Sequence, residues 1–340
     1  MRRRTFLAGA ASLIPAVALA DGFAPIPPGT SLTIGDPIVQ AALTLSGQLG
    51  TLPFAVSWAN IEGGPHVNQA IRAHALDLGS GANVPPLWAY WTGLDVKIAA
   101  VWGRQDPLHH PVYQLGIAPG AGITTIAGLR GKRIAYAPGQ AQGLIVIRAL
   151  AAAGLKPGDV TLVQMPSTTN VFLNALASKQ VDAAPLGEVF VKRYLAEYGS
   201  DGATAINHGL RDDISVLYGP ASTLRDPGTA AAVAAYVQIW AGALAWINAN
   251  PAAWAQGYYV ENQGLSPEDA DDLVQESGKA LVPVSWDEAI AQEQQIVQLL
   301  APVSGEPVFD ASTLFDRRFG PLAAAAFAKA SGAKRSGVSA

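Results

Sequence analysis

Short apolar runs alternate with helical segments from Thr30 onward, and this alternation constrains the fold more than any other feature. "SLTIGDP" and "VKIAAVW" predict strands, and "PHVNQAIRAHA" between them carries apolar residues at helical spacing. The same order of strand, loop and helix restarts after Pro119 with "KRIAYAP" and "QGLIVIRALAAAG". Strands that alternate with helical patterns of this length are typical of parallel sheets, so the sequence predicts two α/β units.

The character of the chain changes after "ISVLYGP", where helical segments dominate. Asp226 and Ser266 each precede a proline and mark helix starts, and Ser285 with Glu288 three residues later predicts a capping box. Such a run of helices can pack on the outside of the first α/β unit. The last residues, "RSGVSA", are predicted to be disordered.

The first twenty residues, "MRRRTFLAGAASLIPAVALA", have a basic start, an apolar stretch and a small-x-small cleavage pattern at Ala18–Ala20. This order is typical of a secretory signal, and the stretch is too short to span a membrane. "RRTFL" resembles a twin-arginine export signal. We therefore expect residues 1–20 to be a signal peptide and the mature chain to begin near Asp21.

Charge and composition narrow the possible partners and the compartment. The whole chain carries a formal net charge of −4, and removal of the three arginines in the signal gives −7, which does not favour nucleic acid or an anionic membrane. The chain has no cysteine, which excludes a lipidated N-terminal cysteine, disulfides, thiolate zinc sites and a cysteine nucleophile. With no later run of eighteen apolar residues recognised, the mature protein is predicted to be soluble and periplasmic.

Known enzyme signatures are scarce in this sequence. It contains no G-x-S-x-G, Walker A, complete G-x-G-x-x-G or H-E-x-x-H motif. His109 and His110 are adjacent and cannot easily face one metal ion, so an exposed loop is the better interpretation. Glu268 and Asp269 sit in the first turn of a predicted helix, where negative charge suits the helix dipole. The sequence predicts neither a catalytic residue, nor a metal site, nor a cofactor.

Glycine-rich and polar turns follow the predicted strands and lead into helices. In an open α/β sheet, ligands bind beyond the carboxyl ends of the strands, and a helix N-terminus there favours an anion through its free N–H groups. Capping of the helix by the same Ser, Thr or Asn residues is the alternative. The turns are Gly35–Pro37, Gly63–His66, Ser80–Asn83, Gly139–Gly143 and Thr168–Asn170.

Two long segments resemble a known family. "GGPHVNQAIRAHALDLGSGANVPPLWAYWTGLDVKIAAVW" is similar to the first lobe of the periplasmic binding proteins of nitrate, taurine and aliphatic-sulfonate ABC importers. "ITTIAGLRGKRIAYAPGQAQGLIVIRALAAAGLKPGDVTLVQM" resembles the opening of their second lobe, and "AWINANPAAWAQ" and "EQQIVQLL" resemble their C-terminal helices. The resemblance covers roughly residues 30 to 325.

That resemblance implies an α/β fold of the type II clamshell class. Each of its two lobes is a mostly parallel sheet flanked by helices, with extra C-terminal helices on the first lobe and crossover strands at "VYQLGIA" and "ISVLYGP". The expected division is a first lobe over 30–118 and 216–332, a second lobe over 119–215, and a disordered tail over 333–340.

The resemblance also implies the contacts of a ligand between the lobes. Carried over by position, the first-lobe residues are Asp36, Gly64, His66, Ala82 and Asn83, and the second-lobe residues are Gln140, Gln142, Gly143, Thr169 and Glu188. We expect the Asn83 side chain to touch ligand; the alternative is that it only caps the following helix. Glu188 stands where sulfonate binders often carry an Asp-Pro, and a carboxylate there would suit a ligand with an amine.

The function that the resemblance implies is solute binding rather than catalysis. A monomeric binding protein would hold a small anionic or zwitterionic solute, such as a sulfonate, taurine or nitrate, and pass it to an ABC permease driven by its ATPase. One alternative is an enzyme on the same scaffold, such as a desulfinase, although that chemistry relies on a cysteine. Another is a sensory or pyrimidine-precursor-related protein of similar fold.

Overall fold

The computed structural model of the chain describes residues 22–61, 63–166 and 170–332. The predicted signal peptide, Thr169 and the predicted tail lie outside these residues. The strands are β1 (Ser31–Gly35), β2 (Ala55–Trp58), β3 (Leu78–Ala82), β4 (Val96–Arg104), β5 (Tyr113–Ile117), β6 (Arg133–Tyr136), β7 (Thr161–Gln164), β8 (Ala183–Gly187), β9 (Thr204–Ile206), β10 (Ser215–Pro220) and β11 (Ala280–Leu281). The α-helices are α1 (Pro37–Leu45), α2 (Gly64–Arg72), α3 (Val84–Trp91), α4 (Ala141–Ala152), α5 (Val171–Ala177), α6 (Glu188–Tyr198), α7 (Ala221–Arg225), α8 (Pro227–Ala249), α9 (Pro251–Trp254), α10 (Pro267–Glu276), α11 (Asp287–Ser304) and α12 (Gly320–Gly332).

The strands form two separate sheets. The first has the order β11-β4-β10-β3-β1-β2 and the second the order β7-β6-β8-β5-β9. Both sheets are mixed: β10 runs antiparallel to β3 and β4, and β5 runs antiparallel to β8 and β9. We call the first sheet with its helices the first lobe and the second sheet with its helices the second lobe. The chain crosses between them after β4 and again before β10, so β5 joins the second sheet ahead of the predicted boundary at residue 119.

The helices after β10 complete the core of the first lobe. α8 lies against β1, and its buried Tyr236, Trp240 and Leu244 belong to the same apolar cluster as Leu32 and Ile34 of β1. α12 packs along α8 and contributes Ala323 and Phe327 to this cluster. A helix that is apolar on all sides needs such cover on every face, which explains why α8 lies in the interior.

α8 is the longest helix of the described residues and is apolar along most of its length. The expectation that no later segment could span a membrane overlooked α8: Pro227–Ala249 has no unbroken run of eighteen apolar residues, but it has 23 residues and contains an 18-residue window with a mean hydropathy of 1.6, enough to cross a membrane by length and composition. In the fold, 89% of this apolar window is buried within the protein. The apolar character of α8 therefore matches its position as the central helix of the first lobe.

Two of the predicted helix starts are confirmed and one is wrong. The Asp226 and Ser266 side chains accept hydrogen bonds from the third residue after each, Thr229 N–H and Asp269 N–H, as N-caps do. The capping box at Ser285 is wrong: α11 has Trp286 at its N-cap, and the carboxylate of Glu288 pairs with Arg211 instead. The guanidinium of Arg211, which is distant in sequence, pairs with the Glu288 carboxylate that the local spacing predicted to cap the start of α11.

Candidate functional site

A cavity of about 570 Å³ lies between the two lobes and is lined by residues of β3 from the first sheet and of β5 from the second. Its size is within the range of small-molecule sites. It contains Gly64, His66, Ala82, Gln140 and Gln142 of the sequence-predicted residues. The complete lining is Asn60, Gly63, Gly64, His66, Ser80, Gly81, Ala82, Pro85, Tyr113, Gln140, Ala141, Gln142 and Phe190.

Three helices begin at this cavity. α2 starts at Gly64 and α4 at Ala141, both in the cavity lining and both without a side-chain cap, whereas α3 begins with Val84-Pro85-Pro86, whose two prolines have no N–H to offer. The first N–H groups of a helix have no partner within the helix and carry its positive dipole end. The cavity is therefore electrostatically suited to an anion.

The side chains that line the cavity are uncharged or weakly basic. Among the described lining residues there is no Asp, Glu, Lys or Arg, while Asn60, Ser80, Gln140 and Gln142 supply amide and hydroxyl groups. Tyr113 and Phe190 provide an aromatic wall from the second lobe. A ligand here would be recognised by hydrogen bonds and helix dipoles at one end and by apolar contact at the other.

Glycine is required at the first-lobe turn for two separate reasons. Gly63 has φ of 82°, a conformation that residues with a side chain rarely adopt. At Gly64, an added Cβ would lie 2.0 Å from Cγ of Pro85, so only glycine allows α2 to begin this close to α3. By contrast, a Cβ at Gly81 would meet no atom within 4 Å, because this position faces open space.

Asn83 does not have the predicted role, nor does it have the alternative one. Its side chain is buried and donates to Oε2 of Glu293 at 2.7 Å, so it neither caps α3 nor faces the cavity between the lobes. Burial raises the pKa of Glu293 to about 8, and the hydrogen bond from Asn83 opposes this shift. Oε1 of Glu293 has no hydrogen-bond partner among the described residues.

Asp36 also lies outside the cavity, directly behind it. Its carboxylate accepts from Val39 N–H at 3.2 Å and from the hydroxyl of Tyr236 at 3.2 Å, which joins the start of α1 to α8. Burial raises the pKa of Asp36 to about 6, while hydrogen bonds from Val39, Ser80 and Tyr236 oppose this shift. Ser80 lines the cavity and is hydrogen-bonded to Asp36, so Asp36 stabilises the cavity wall and does not line the cavity itself.

Glu188 is turned away from the cavity as well. Its carboxylate lies 2.7 Å from the guanidinium of Arg104 and accepts a hydrogen bond from the hydroxyl of Ser277 at 2.8 Å. The pair joins α6 of the second lobe to β4 of the first. A carboxylate with these partners is satisfied, so the expectation that Glu188 would attract a ligand amine is wrong.

Gly143 and Thr169 complete the predicted set. An added Cβ at Gly143 would lie 2.2 Å from the carbonyl oxygen of Ala137, so its glycine is explained by packing of α4 against the preceding loop. Thr169 lies outside the described residues.

The adjacent histidines each have a partner of their own: Nδ1 of His109 lies 2.8 Å from Asp106, and Nδ1 of His110 lies 2.9 Å from the carbonyl oxygen of Glu276. No cluster of three potential metal ligands occurs in the described ranges.

Several lining residues were not predicted from the sequence. Ser80 belongs to one of the predicted turns, and Asn60 follows β2, where the same rule about strand ends could have included it. Tyr113 and Phe190 gave no local signal, because they belong to a crossover strand and a helix whose faces are decided by the packing of the lobes. They come to the cavity only through contacts distant in sequence.

Parts of the chain are similar in sequence to known proteins. Residues 61–205 match the family model described as NMT1/THI5 like. An Escherichia coli K12 protein named as an aliphatic sulfonates-binding protein is 30% identical over 105 residues, which are 31% of this chain and 32% of the relative. A Brucella abortus protein named as a binding protein is 31% identical over 189 residues, 54% of each chain. The chain thus matches about a third to a half of the length of these relatives.

Solved structures extend the comparison to nearly the whole fold. The alkanesulfonate-binding protein SsuA of Xanthomonas axonopodis pv. citri, bound to MOPS, superposes with a TM-score of 0.72 at 21% identity, covering 86% of this chain and 99% of that one. The fold is that of the periplasmic binding proteins. This confirms the two-lobed α/β class implied by the sequence, and the resemblance to sulfonate-binding proteins is confirmed as homology over the matched part.

The same fold also occurs in an enzyme. The desulfurization enzyme DszB superposes with a TM-score of 0.54 at 18% identity, covering 86% of this chain and 98% of that one. A related structure is a cysteine-to-serine mutant of that enzyme in complex with biphenyl-2-sulfinic acid. Fold alone therefore does not separate binding from catalysis, and the residues of the site have to do so.

Proposed function

We propose that this protein is the solute-binding component of an ABC importer and holds a small organic anion reversibly between its lobes. The observation that carries the proposal is the cavity of about 570 Å³ whose walls come from both lobes. A ligand that touches both walls stabilises the closed arrangement of the lobes, because only that arrangement makes all the contacts. Such coupling between binding and closure is what a delivery protein needs.

An anion is favoured over a zwitterion by the charges around the cavity. The N-termini of α2 and α4 lie in its lining, and the described lining holds no carboxylate that would pair with an amine. Glu188, the residue expected to do so, is engaged by Arg104. The names of the Escherichia coli and Xanthomonas relatives add a sulfonate as the first ligand class to test.

We place the ligand contacts at the residues that the cavity brings together. Gly64, His66 and Ala82 would contact the anionic group from the first lobe, and Gln140 and Gln142 from the start of α4 in the second. The aromatic rings of Tyr113 and Phe190 would cover the organic part. Asp36 and Asn83 would support this arrangement from behind without touching the ligand.

The proposed location and partners follow from the same function. An exported protein whose signal ends near residue 20 would work in the periplasm, whether export uses the twin-arginine or the general route. It would act as a monomer and deliver its solute to a membrane permease, which contacts the ATPase in turn. The mature charge of −7 is consistent with a freely diffusing protein and does not suggest nucleic acid as a partner.

Catalysis of the desulfinase type is the competing function, and the composition of the chain argues against it. The related enzyme structure with a bound sulfinic acid carries a substituted cysteine. This chain has no cysteine at any position, so it cannot supply a thiolate nucleophile. We therefore propose binding without turnover.

A ligand screen followed by calorimetry tests the proposal. The purified protein is scanned for thermal stabilisation with alkanesulfonates, arylsulfonates, taurine, nitrate and small carboxylates, since a ligand that binds only the folded state raises the melting temperature. We expect a sulfonate to stabilise the protein and to bind reversibly at one site per chain. Failure of the entire panel to bind, or release of sulfite from biphenyl-2-sulfinate at a catalytic rate, would contradict the proposal.

A further inference from the structure

A second cavity of about 260 Å³ lies beside the first, along the length of α4. It is walled by α4 of the second lobe, by α11 of the first lobe and by the crossover segment 211–214 that joins them. We call it the hinge cavity. At roughly 30 Å³ for each water in the liquid, it has room for about nine water-sized groups. Among the residues that the structure describes, only Ala141 borders both cavities.

Three of the four charged residues of the hinge cavity are already engaged. Asp213 accepts from Arg211 Nε and from the backbone N–H of Arg104, both at 2.7 Å. Asp212 accepts from the backbone N–H groups of Val112 and Tyr113 at 3.0 and 2.8 Å, and its Oδ2 lies 3.1 Å from Nε2 of His208. Arg211 pairs with Asp213 and with Glu288. These groups satisfy one another and leave little for a ligand.

Arg148 is the exception in this cavity. It lies in the middle of α4, is partly buried, and donates through Nη1 to the carbonyl oxygen of Arg211. Among the described residues no carboxylate lies within ion-pair distance of it, although Asp212 contributes a favourable longer-range interaction. Burial lowers the pKa of Arg148, which reflects the cost of holding its charge away from water. Its other guanidinium N–H groups are available to an acceptor.

The remaining walls of the hinge cavity combine the polar residues Asn83, Gln292 and Gln295 with apolar side chains. Leu144 and Ile145 from α4 face Ile296 and Leu299 from α11, so the apolar surface comes from both lobes. An occupant with one acceptor group at Arg148 could place a short hydrocarbon part between these four side chains. The carboxylates of Asp212 and Asp213 in the same wall would repel a second negative charge on the occupant.

We propose that the hinge cavity is a second binding site, separate from the cavity between the lobes, for a small amphipathic organic monoanion. The carboxylate of such a ligand pairs with Arg148, and its aliphatic chain packs against Leu144, Ile145, Ile296 and Leu299. The site prefers a monocarboxylate to a dicarboxylate of the same length and does not bind the corresponding amine. The inference does not depend on the solute that occupies the larger cavity.

Sodium hexanoate is the probe for this site, with adipate and hexylamine for comparison. The purified ¹⁵N-labelled protein is titrated with each compound up to 20 mM and followed by NMR at the amides of α4 and α11. We expect hexanoate to shift these signals with saturation in the millimolar range. Arg148→Met should weaken hexanoate binding about tenfold, the loss typical of one hydrogen-bonded charged contact. Arg225→Met, which removes an exposed arginine elsewhere, should leave it unchanged.

Two further variants keep the outcome decisive. Leu299→Trp fills the hinge cavity from a half-buried position and should abolish hexanoate binding even if Arg148→Met does not fold. Gly81→Leu blocks the larger cavity and should have no effect on hexanoate. Hexanoate binding that survives both Arg148→Met and Leu299→Trp, that is lost in Gly81→Leu, or that is absent from the unmodified protein overturns the inference.

Discussion

Asn83 and Glu293 are 210 residues apart in the sequence and form one buried hydrogen-bonded pair next to the cavity between the lobes. The sequence placed Asn83 at the end of a strand and at the start of a helix, and both positions are correct. Its partner could not be predicted, because nothing in the pattern of α11 distinguishes Glu293 from the glutamines around it. The predicted direction of the Asn83 side chain was therefore wrong.

Glu293 provides a prediction at the residue scale, for Glu293→Gln. The pKa of this carboxyl is raised by burial from 4.5 to about 8, so the folded protein holds a proton that the unfolded chain releases. The stabilisation from this group is complete below about pH 4.5 and is lost as the pH rises through 8. Glutamine does not titrate, so the variant should gain stability relative to the unmodified protein with rising pH, on the order of a few kcal/mol at pH 9.

Urea unfolding at pH 5 and at pH 9 measures this effect. Glu261→Gln on the exposed surface is the matched control and should show no such change between the two pH values. If the difference in unfolding free energy between Glu293→Gln and the unmodified protein is the same at both pH values, Glu293 is not a protonated carboxyl in the folded state.

At the scale of elements, the sequence predicted most strands and helices that surround the cavity. β1, β3, β4 and the helices between them follow the alternation of apolar runs and helical spacing, because each is covered on one or both faces by its neighbours. Features set by distant contacts were missed. Glu288 forms an ion pair with Arg211 instead of the predicted capping box. Phe190 reaches the cavity because of the way the second lobe packs against the first, which the sequence of α6 does not show.

The start of α4 gives the prediction at this scale, for Gly143→Ala. The added Cβ would lie 2.2 Å from the carbonyl oxygen of Ala137, and backbone at this distance cannot move without displacing the helix. We expect a loss of about 1–3 kcal/mol in unfolding free energy, as for other overpacked sites. Denaturant titration measures it, with Gly128→Ala as control, since the nearest atom to a Cβ there is 3.7 Å away. An unchanged stability of Gly143→Ala would mean that its glycine serves the ligand rather than packing.

At the scale of the whole molecule, two sheets joined by two crossovers allow the lobes to move as units. A ligand that bridges the lobes should shift the population toward the closed form, because in the open form it cannot touch both lobes at once. Small-angle X-ray scattering at saturating ligand should therefore give a smaller radius of gyration than the same protein without ligand. A radius that does not change on saturation would indicate a rigid pocket formed within a fixed arrangement of lobes.

The central claim is that solute binds in the cavity between the lobes, and Gly81→Leu tests it most directly. A side chain at position 81 enters the cavity without meeting any protein atom within 4 Å of its Cβ, so it should remove the space for ligand and leave the fold intact. Gly158→Leu is the matched control, because a Cβ there also meets nothing within 4 Å but lies in an exposed turn remote from the cavity. Both variants should keep their unfolding free energy within about 1 kcal/mol of the unmodified protein, as surface changes usually do.

The measurement is calorimetric titration of the three proteins with the tightest ligand from the screen. The account predicts that Gly81→Leu weakens binding at least about tenfold, a change of roughly 1.4 kcal/mol, while Gly158→Leu stays within about twofold. A stably folded Gly81→Leu protein that binds this ligand as tightly as the unmodified protein would contradict the account.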